Sequence, residues 1–157
     1  MSWSSTEVYV HLLTLVMIDP KEHRWSVKEL DYDDGAPLFV RINESARSLI
    51  GHPDYGIKLG FAVPMKPAAG NNLPDPATNE ALSELEDQII ATVADGAEGV
   101  HVMTLTSAVM KELVFYIQPG ADIAAMHESL RHANATRDVQ CQAVWDREWE
   151  AFAGFLP

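Results

Sequence analysis

The chain lacks the features that mark a secreted or membrane-bound protein. It has a single cysteine, Cys141, so an internal disulfide is excluded and we expect a reducing, cytoplasmic location. No apolar run approaches the ~20 residues needed to span a bilayer. The longest, residues 8–18, is interrupted by His11 and Thr14 and lacks a basic leader and a cleavage site of small residues. We therefore expect no signal peptide and no membrane partner.

Basic residues are also scarce. Eleven lysines and arginines stand against 23 acidic residues, which gives a formal net charge of −12. Such a surface repels phosphate backbones, because affinity for nucleic acid rests mainly on Lys and Arg. We expect no nucleic-acid partner. A basic protein partner is compatible with this charge, although solubility alone is the simpler explanation.

The residue patterns of common catalytic and cofactor sites are missing. His127 and His132 are five apart, about 140° around a helix, and no zinc-binding motif occurs. The glycines follow no phosphate-loop or dinucleotide pattern. Cys141 lies in the same period-two register as Val139 and Ala143, which favours a small buried side chain over a nucleophile. We predict no catalytic residue, no metal site and no cofactor.

Two helices and four strands are indicated between residues 56 and 144. Asp75 and Pro76 form a helix start, and an apolar stripe follows at helical spacing. The stripe consists of Leu82, Leu85, Ile89 and Val93. A second helix follows Pro119 and Gly120. Four segments near residues 56–63, 100–106, 112–117 and 138–143 read as strands, mostly with period-two alternation.

The order of these elements predicts the fold class. Strand, helix, strand, strand, helix, strand is the βαββαβ pattern of a ferredoxin-like α+β fold with an antiparallel sheet. Both helices would cover one face, so Lys58, Glu112 and Tyr116 should point to the other, open face. Because this fold hosts many unrelated activities, it implies none.

We predict a single domain over residues 1–157, in which two further regions flank the 56–144 core. Residues 1–55 form an N-terminal extension with a hairpin, strands 25–31 and 37–43, around Asp33-Asp34-Gly35. A short helix over 44–50 follows the hairpin. Residues 4–18 suit either a helix, which we favour, or a strand, and the proline-rich stretch 64–76 is a long loop.

The C-terminal tail, residues 145–157, is rich in aromatic residues. Trp145, Trp149 and Phe152 have i, i+4, i+7 spacing, which predicts one apolar face of a helix. Either the tail covers the open sheet face, which we favour, or it presents anchors to a partner.

The tail, together with Leu73-Pro74 and the segment 112–116, resembles the bacterial family of domains of unknown function numbered 695. That family's pattern has an Asp-Pro-x-Trp tail and a Phe-Leu-x-Pro-like close. Asp146, Trp149, Phe155 and Leu156 match it, whereas Arg147 stands where proline is usual and Phe152 where tyrosine is usual. The resemblance implies a compact α+β domain with no assigned activity. Some members of this family are joined to, or found beside, a domain like the type B regulator of ribonuclease E. The resemblance therefore implies regulation by protein contact.

Two functional hypotheses remain. The first is a non-catalytic protein-binding or regulatory module that binds a basic protein, with homodimerisation through a sheet edge also compatible with the fold. Its candidate interaction surface consists of Glu80, Glu84, Glu86, Asp87, Trp145, Trp149 and Phe152. The second is an enzyme or small-ligand binder with a pocket between the 64–76 loop and the open sheet face. Its candidate polar residues are Lys58, His101, Glu112 and Tyr116.

Overall fold

A computed structural model describes residues 24–31, 37–65 and 76–157. The strands are β1 Trp25–Asp31, β2 Pro37–Asn43, β3 Ile57–Pro64, β4 Gly99–Thr106, β5 Met110–Ile117 and β6 Gln140–Trp145. The helices are a 3-10 helix Glu44–Leu49, α1 Pro76–Gly96, α2 Ile123–Ala133 and the one-turn α3 Glu150–Ala153. Within these ranges, no helix combines the length and apolarity required to cross a membrane.

The six strands form one open antiparallel sheet in the order β1-β2-β4-β5-β3-β6. Each pair of neighbours is antiparallel, and β1 and β6 are the edges. The fold class is therefore mixed α and β, as the sequence predicts. The strands of the N-terminal hairpin have the predicted bounds, with Trp25 opposite Asn43 and Asp31 opposite Pro37. The Asp33-Asp34-Gly35 turn, the 4–18 segment and residues 66–75 lie outside the described residues.

Helices α1 and α2 pack on one side of the sheet, which we call the helix face. Every second residue of β3 and β5 points into this layer, because successive strand side chains alternate between faces. The buried core on this side comprises Leu59, Phe61, Val63, Leu113, Phe115 and Ile117 from the strands with Leu82, Leu85, Ile89 and Val93 from α1. The predicted helical stripe is thus the buried stripe.

The opposite side, which we call the tail face, is covered by the 3-10 helix and the C-terminal tail. The strands contribute Val40, Ile42, Val100, Val102, Val114 and Tyr116 to this second core. Ala46 and Leu49 of the 3-10 helix and Trp149 and Phe152 of the tail pack against them. The sheet therefore buries apolar side chains on both faces.

The tail folds back over the sheet, but not as the predicted continuous helix. Trp145 ends β6 and is 59% exposed, whereas Trp149 is fully buried. Trp149 has a positive φ of 57°, which reverses the chain just before α3. The helix begins only at Glu150, because the Asp146 carboxylate accepts hydrogen bonds from the backbone N–H groups of Glu150 and Ala151. The prediction that Trp145, Trp149 and Phe152 share one helical face is wrong.

We predict that Trp149→Ala lowers the free energy of unfolding by about 3–5 kcal/mol, as truncation of a buried aromatic residue does. Urea denaturation measures this loss. Trp145→Ala is the matched control. Because Trp145 is exposed, this substitution should lower the free energy of unfolding by less than about 1 kcal/mol. Equal losses for the two variants would contradict the packing of the tail.

Candidate functional site

A crevice of about 370 Å³ opens on the helix face, between the C-terminal half of α1 and the strands β2 and β4. Its apolar wall includes Ile90, Val93, Ala94, Ala97 and Phe115. Its polar and aromatic rim consists of Trp25, Arg41, Glu86 and His101. A concave, mainly apolar site with a few convergent polar groups is the usual form of a small-ligand site.

The crevice depends on close packing beneath it at Gly99, the first residue of β4. A Cβ atom at this position would lie 2.3 Å from the Tyr116 carbonyl oxygen and 2.8 Å from the Ile117 Cα. No side chain fits there, because backbone atoms cannot yield as a flexible side chain can. Gly99 thus lets β4 approach β5 closely next to the crevice.

One side of the crevice is formed by an ion-pair cluster around the buried carboxylate of Glu86. The Glu86 carboxylate accepts from Arg41 Nη1 at 3.1 Å and lies 2.7 Å from Lys111 Nζ. This corrects the prediction that Glu86 is part of an exposed interaction surface, since the residue is only 7% exposed. It lies four residues after Leu82, so it shares the buried side of α1. Two cations pair with this one carboxylate, and of the two Arg41 is the one that lines the crevice.

Aromatic rings form the rim next to this cluster. The Arg41 guanidinium lies 5.0 Å from the centre of the Trp25 ring. The His101 ring lies between Trp25 and Phe115, with centroid distances of 5.0 and 4.7 Å. Its Nε2 atom is 3.1 Å from the Met103 carbonyl oxygen. The same atom lies 2.9 Å from the Thr104 hydroxyl, and these two contacts hold the ring in its orientation.

The structure separates His101 from the residues with which the sequence grouped it. His101 faces the helices, whereas Lys58, Glu112 and Tyr116 belong to the tail side. The reason is strand alternation, because Val100 and Val102 on either side of it pack into the tail-face core. The strand register shifts between His101 and Met103. The predicted grouping of all four polar residues is therefore wrong.

Of these four predicted residues, two lie next to the same hollow. Lys58 and Glu112 line a smaller hollow of about 220 Å³ on the tail side, near β6. Tyr116 is instead covered by the tail, and its ring stacks on Trp149 at 4.1 Å. Cys141 borders this hollow, and burial raises the pKa of its thiol. This direction disfavours the thiolate that a nucleophilic role requires.

The tail is anchored by Asp146 and Tyr116. The Tyr116 hydroxyl donates to Asp146 at 2.7 Å and accepts from the Phe152 backbone N–H at 3.3 Å. Trp149 Nε1 donates to the Tyr55 carbonyl oxygen at 2.8 Å. Burial opposes ionisation of Asp146, but the Tyr116 hydroxyl and the two backbone N–H groups outweigh it, so the pKa of this carboxyl is lowered.

The remaining predicted residues lie apart from the crevice rim. Glu80, Glu84 and Asp87 are exposed on α1, whereas Trp149 and Phe152 are buried and unavailable to a partner. Trp25 and Arg41 were missed by the sequence reasoning. The hairpin register places Val27 opposite Arg41, so Trp25 is a diagonal neighbour of Arg41 on the same face. The register of the hairpin was the feature from which the proximity of Trp25 and Arg41 could have been inferred.

Within the described ranges, no group of three histidine, cysteine or acidic side chains is arranged to hold a metal ion. The fold and its site define an antiparallel α/β protein with an apolar crevice beside an ion-pair cluster. The chain belongs to the Family of unknown function (DUF695), whose model matches residues 23–157. No curated protein and no solved structure matches the chain.

The lowered pKa of Asp146 gives a testable pH dependence. A depressed folded-state pKa stabilises the protein above the unfolded value of about 3.9, and this stabilisation is lost as pH falls through the folded value. We predict that the unfolding free energy of Asp146→Asn changes less than that of the wild type when pH falls below about 4. Chemical denaturation at a series of pH values measures this. Asp87→Asn, which removes an exposed carboxylate from α1, is the control, and identical acid profiles for wild type and Asp146→Asn would contradict the anchor.

Proposed function

We propose that this protein is a non-catalytic small-ligand-binding domain whose ligand occupies the crevice beside α1. The observation that carries this proposal is a cavity of about 370 Å³ with an apolar wall and the Arg41 guanidinium at its rim. Ligand pockets usually measure about 300–1,000 Å³, so a compact ligand fits this volume. The site lies on the helix face, whereas the second sequence hypothesis placed a ligand pocket between the 64–76 loop and the open sheet face.

The chemistry of the rim favours a ligand with an apolar body and a carboxylate. The Arg41 side chain is 45% exposed, and only its Nη1 takes part in the bond to Glu86. A guanidinium has five N–H donors, and carboxylates are its preferred planar partners. The apolar body would contact Ile90, Val93 and Phe115, while the carboxylate would reach Arg41 at the rim.

Binding is a better match than catalysis, because the titratable groups of the crevice already have structural partners. Glu86 is held by Arg41 and Lys111. The Nε2 atom of His101 is held by the Met103 carbonyl and by the Thr104 hydroxyl at 2.9 Å. A general acid or base needs an atom within hydrogen-bond reach of the substrate. Glu86 and His101 instead line the crevice and hold neighbouring residues in place.

We also infer that residues 56–144 form a ferredoxin-like unit. The strand order β4-β5-β3-β6, with α1 and α2 on one face, supports this assignment. The β1–β2 hairpin would then be an extension that pairs with β4 and supplies Trp25 and Arg41 to the crevice. The fold itself carries no functional argument.

Calorimetric titration of the full chain with phenylacetate and hexanoate, and with the corresponding amides, tests the ligand proposal. We expect the acids to bind and the amides to bind more weakly, because a charge-assisted bond to Arg41 contributes about 1.5–3 kcal/mol. Arg41→Gln should remove the preference for the acid, whereas Arg47→Gln, on the 3-10 helix, should preserve it.

A second pair of variants tests the apolar wall. Ala94→Leu places a larger side chain at the crevice, while Ala91→Leu places one on an exposed part of α1 outside it. We expect only Ala94→Leu to weaken binding. The proposal is wrong if no acid in this panel binds, or if both leucine variants bind as the wild type does.

The exposed carboxylates of α1 support a second candidate, a regulatory module that binds a basic protein. Glu80, Glu84 and Asp87 are exposed on a chain with a net charge of −12. Glu84→Lys combined with Asp87→Lys should abolish low-salt capture of such a partner, since exposed charges act within ~8 Å at physiological ionic strength. Unchanged capture measured by pull-down would exclude this helix as the contact.

A further inference from the structure

We propose that two copies of this chain pair through the β6 edge, so that their sheets form one continuous antiparallel sheet with two-fold symmetry. Strand β6, Gln140–Trp145, contains no charged residue and no proline. Five of its six residues are exposed, including Val144 at 40% and Trp145 at 59%. A strand edge of this kind is a template for pairing.

The other edge of the sheet is protected in the usual way. Strand β1 carries Lys28, Glu29 and Asp31, and charged side chains on an edge oppose pairing. Lys28 also donates to the Phe155 carbonyl oxygen at 3.4 Å. The C-terminal tail therefore reaches this edge of the sheet. The contrast between the two edges points to β6.

The hydrogen-bond pattern of β6 shows which backbone groups are directed outward. The Asp146 N–H donates to the Gly56 carbonyl oxygen at 2.9 Å, in line with the β3–β6 register. Hydrogen-bonded and non-bonded positions alternate along an antiparallel pair. The backbone groups of Gln142 and Val144 therefore point toward β3, whereas those of Cys141, Ala143 and Trp145 point away from it, to the side on which no described strand pairs with β6.

One symmetric register uses all three outward positions. If Ala143 lies opposite Ala143 of the second copy, then Cys141 of each chain lies opposite Trp145 of the other. Each of these pairs is then of the hydrogen-bonded type. The cysteine and indole side chains would also meet on one face of the joined sheet, where sulfur and aromatic rings attract. A symmetric contact of this kind closes at two copies.

Charge favours a second copy at this edge over other parts of the surface. The net charge of −12 per chain makes most of the surface repel another copy, while β6 is uncharged. Added salt screens the repulsion. The dimer should therefore tighten with rising salt, which is opposite to the behaviour of a complex with a basic protein.

Sedimentation equilibrium of the full chain tests the proposal. We expect a dimer whose dissociation constant falls with added salt, and a monomer for Ala143→Pro. The proline removes an outward N–H, so pairing with β3 and the melting temperature should change little. Ala143→Val and Val27→Lys are controls that should remain dimeric. A monomeric wild type, or a dimeric Ala143→Pro, would overturn the proposal.

Cross-linking tests the register without relying on a variant in which the β6 contact is disrupted. In hydrogen-bonded antiparallel pairs the Cα atoms are about 5.5 Å apart, within the usual range for a disulfide. The double variant Cys141→Ser, Ala143→Cys should form a covalent dimer on mild oxidation. Cys141→Ser with Val27→Cys, on the opposite edge, should stay monomeric on a denaturing gel. The reverse pattern would exclude the β6 contact.

Discussion

The contact between Asp146 and Tyr116 is the constraint on which the rest of the fold depends. A six-stranded sheet with helices on one side leaves an apolar face that must be covered. Asp146 receives the Tyr116 hydroxyl and the first backbone N–H groups of α3, and this turns the chain back across the sheet. Trp149 and Phe152 then complete the core on that side. One carboxylate thus links strand β5, the turn and the covering helix.

Covering the tail face leaves the other side of the sheet free to form a site. Helix α1 meets the hairpin extension through the Glu86 cluster with Arg41 and Lys111. This contact joins α1 to β2 and β5 at one side of the crevice. Burying an ion pair usually contributes little net stability. Its role here is positional, because it orients Arg41 at the rim of the crevice.

Local sequence patterns predicted much of the architecture. The β1–β2 hairpin and the stripe of α1 follow from alternation and helical spacing, which are local properties. Glu86 and His101 were named as candidates but assigned to the wrong surfaces, and Trp25 and Arg41 were missed, because the surroundings of all four come from strands distant in the chain. Glu86 is buried only because β2 and β5 supply Arg41 and Lys111. The tail was misread because the positive φ of Trp149 interrupts a spacing that otherwise indicates a helix.

The central claim is that the crevice beside α1 binds a compact apolar carboxylate. Amide chemical-shift mapping of the full chain with phenylacetate tests this most directly, because it reports where a ligand sits as well as whether it binds. We predict saturable shifts of the Trp25 indole N–H and of the backbone amides of Ala97, Gly99 and His101. Shifts confined to the hollow around Lys58 and Glu112, or no saturable shift at all, would contradict it.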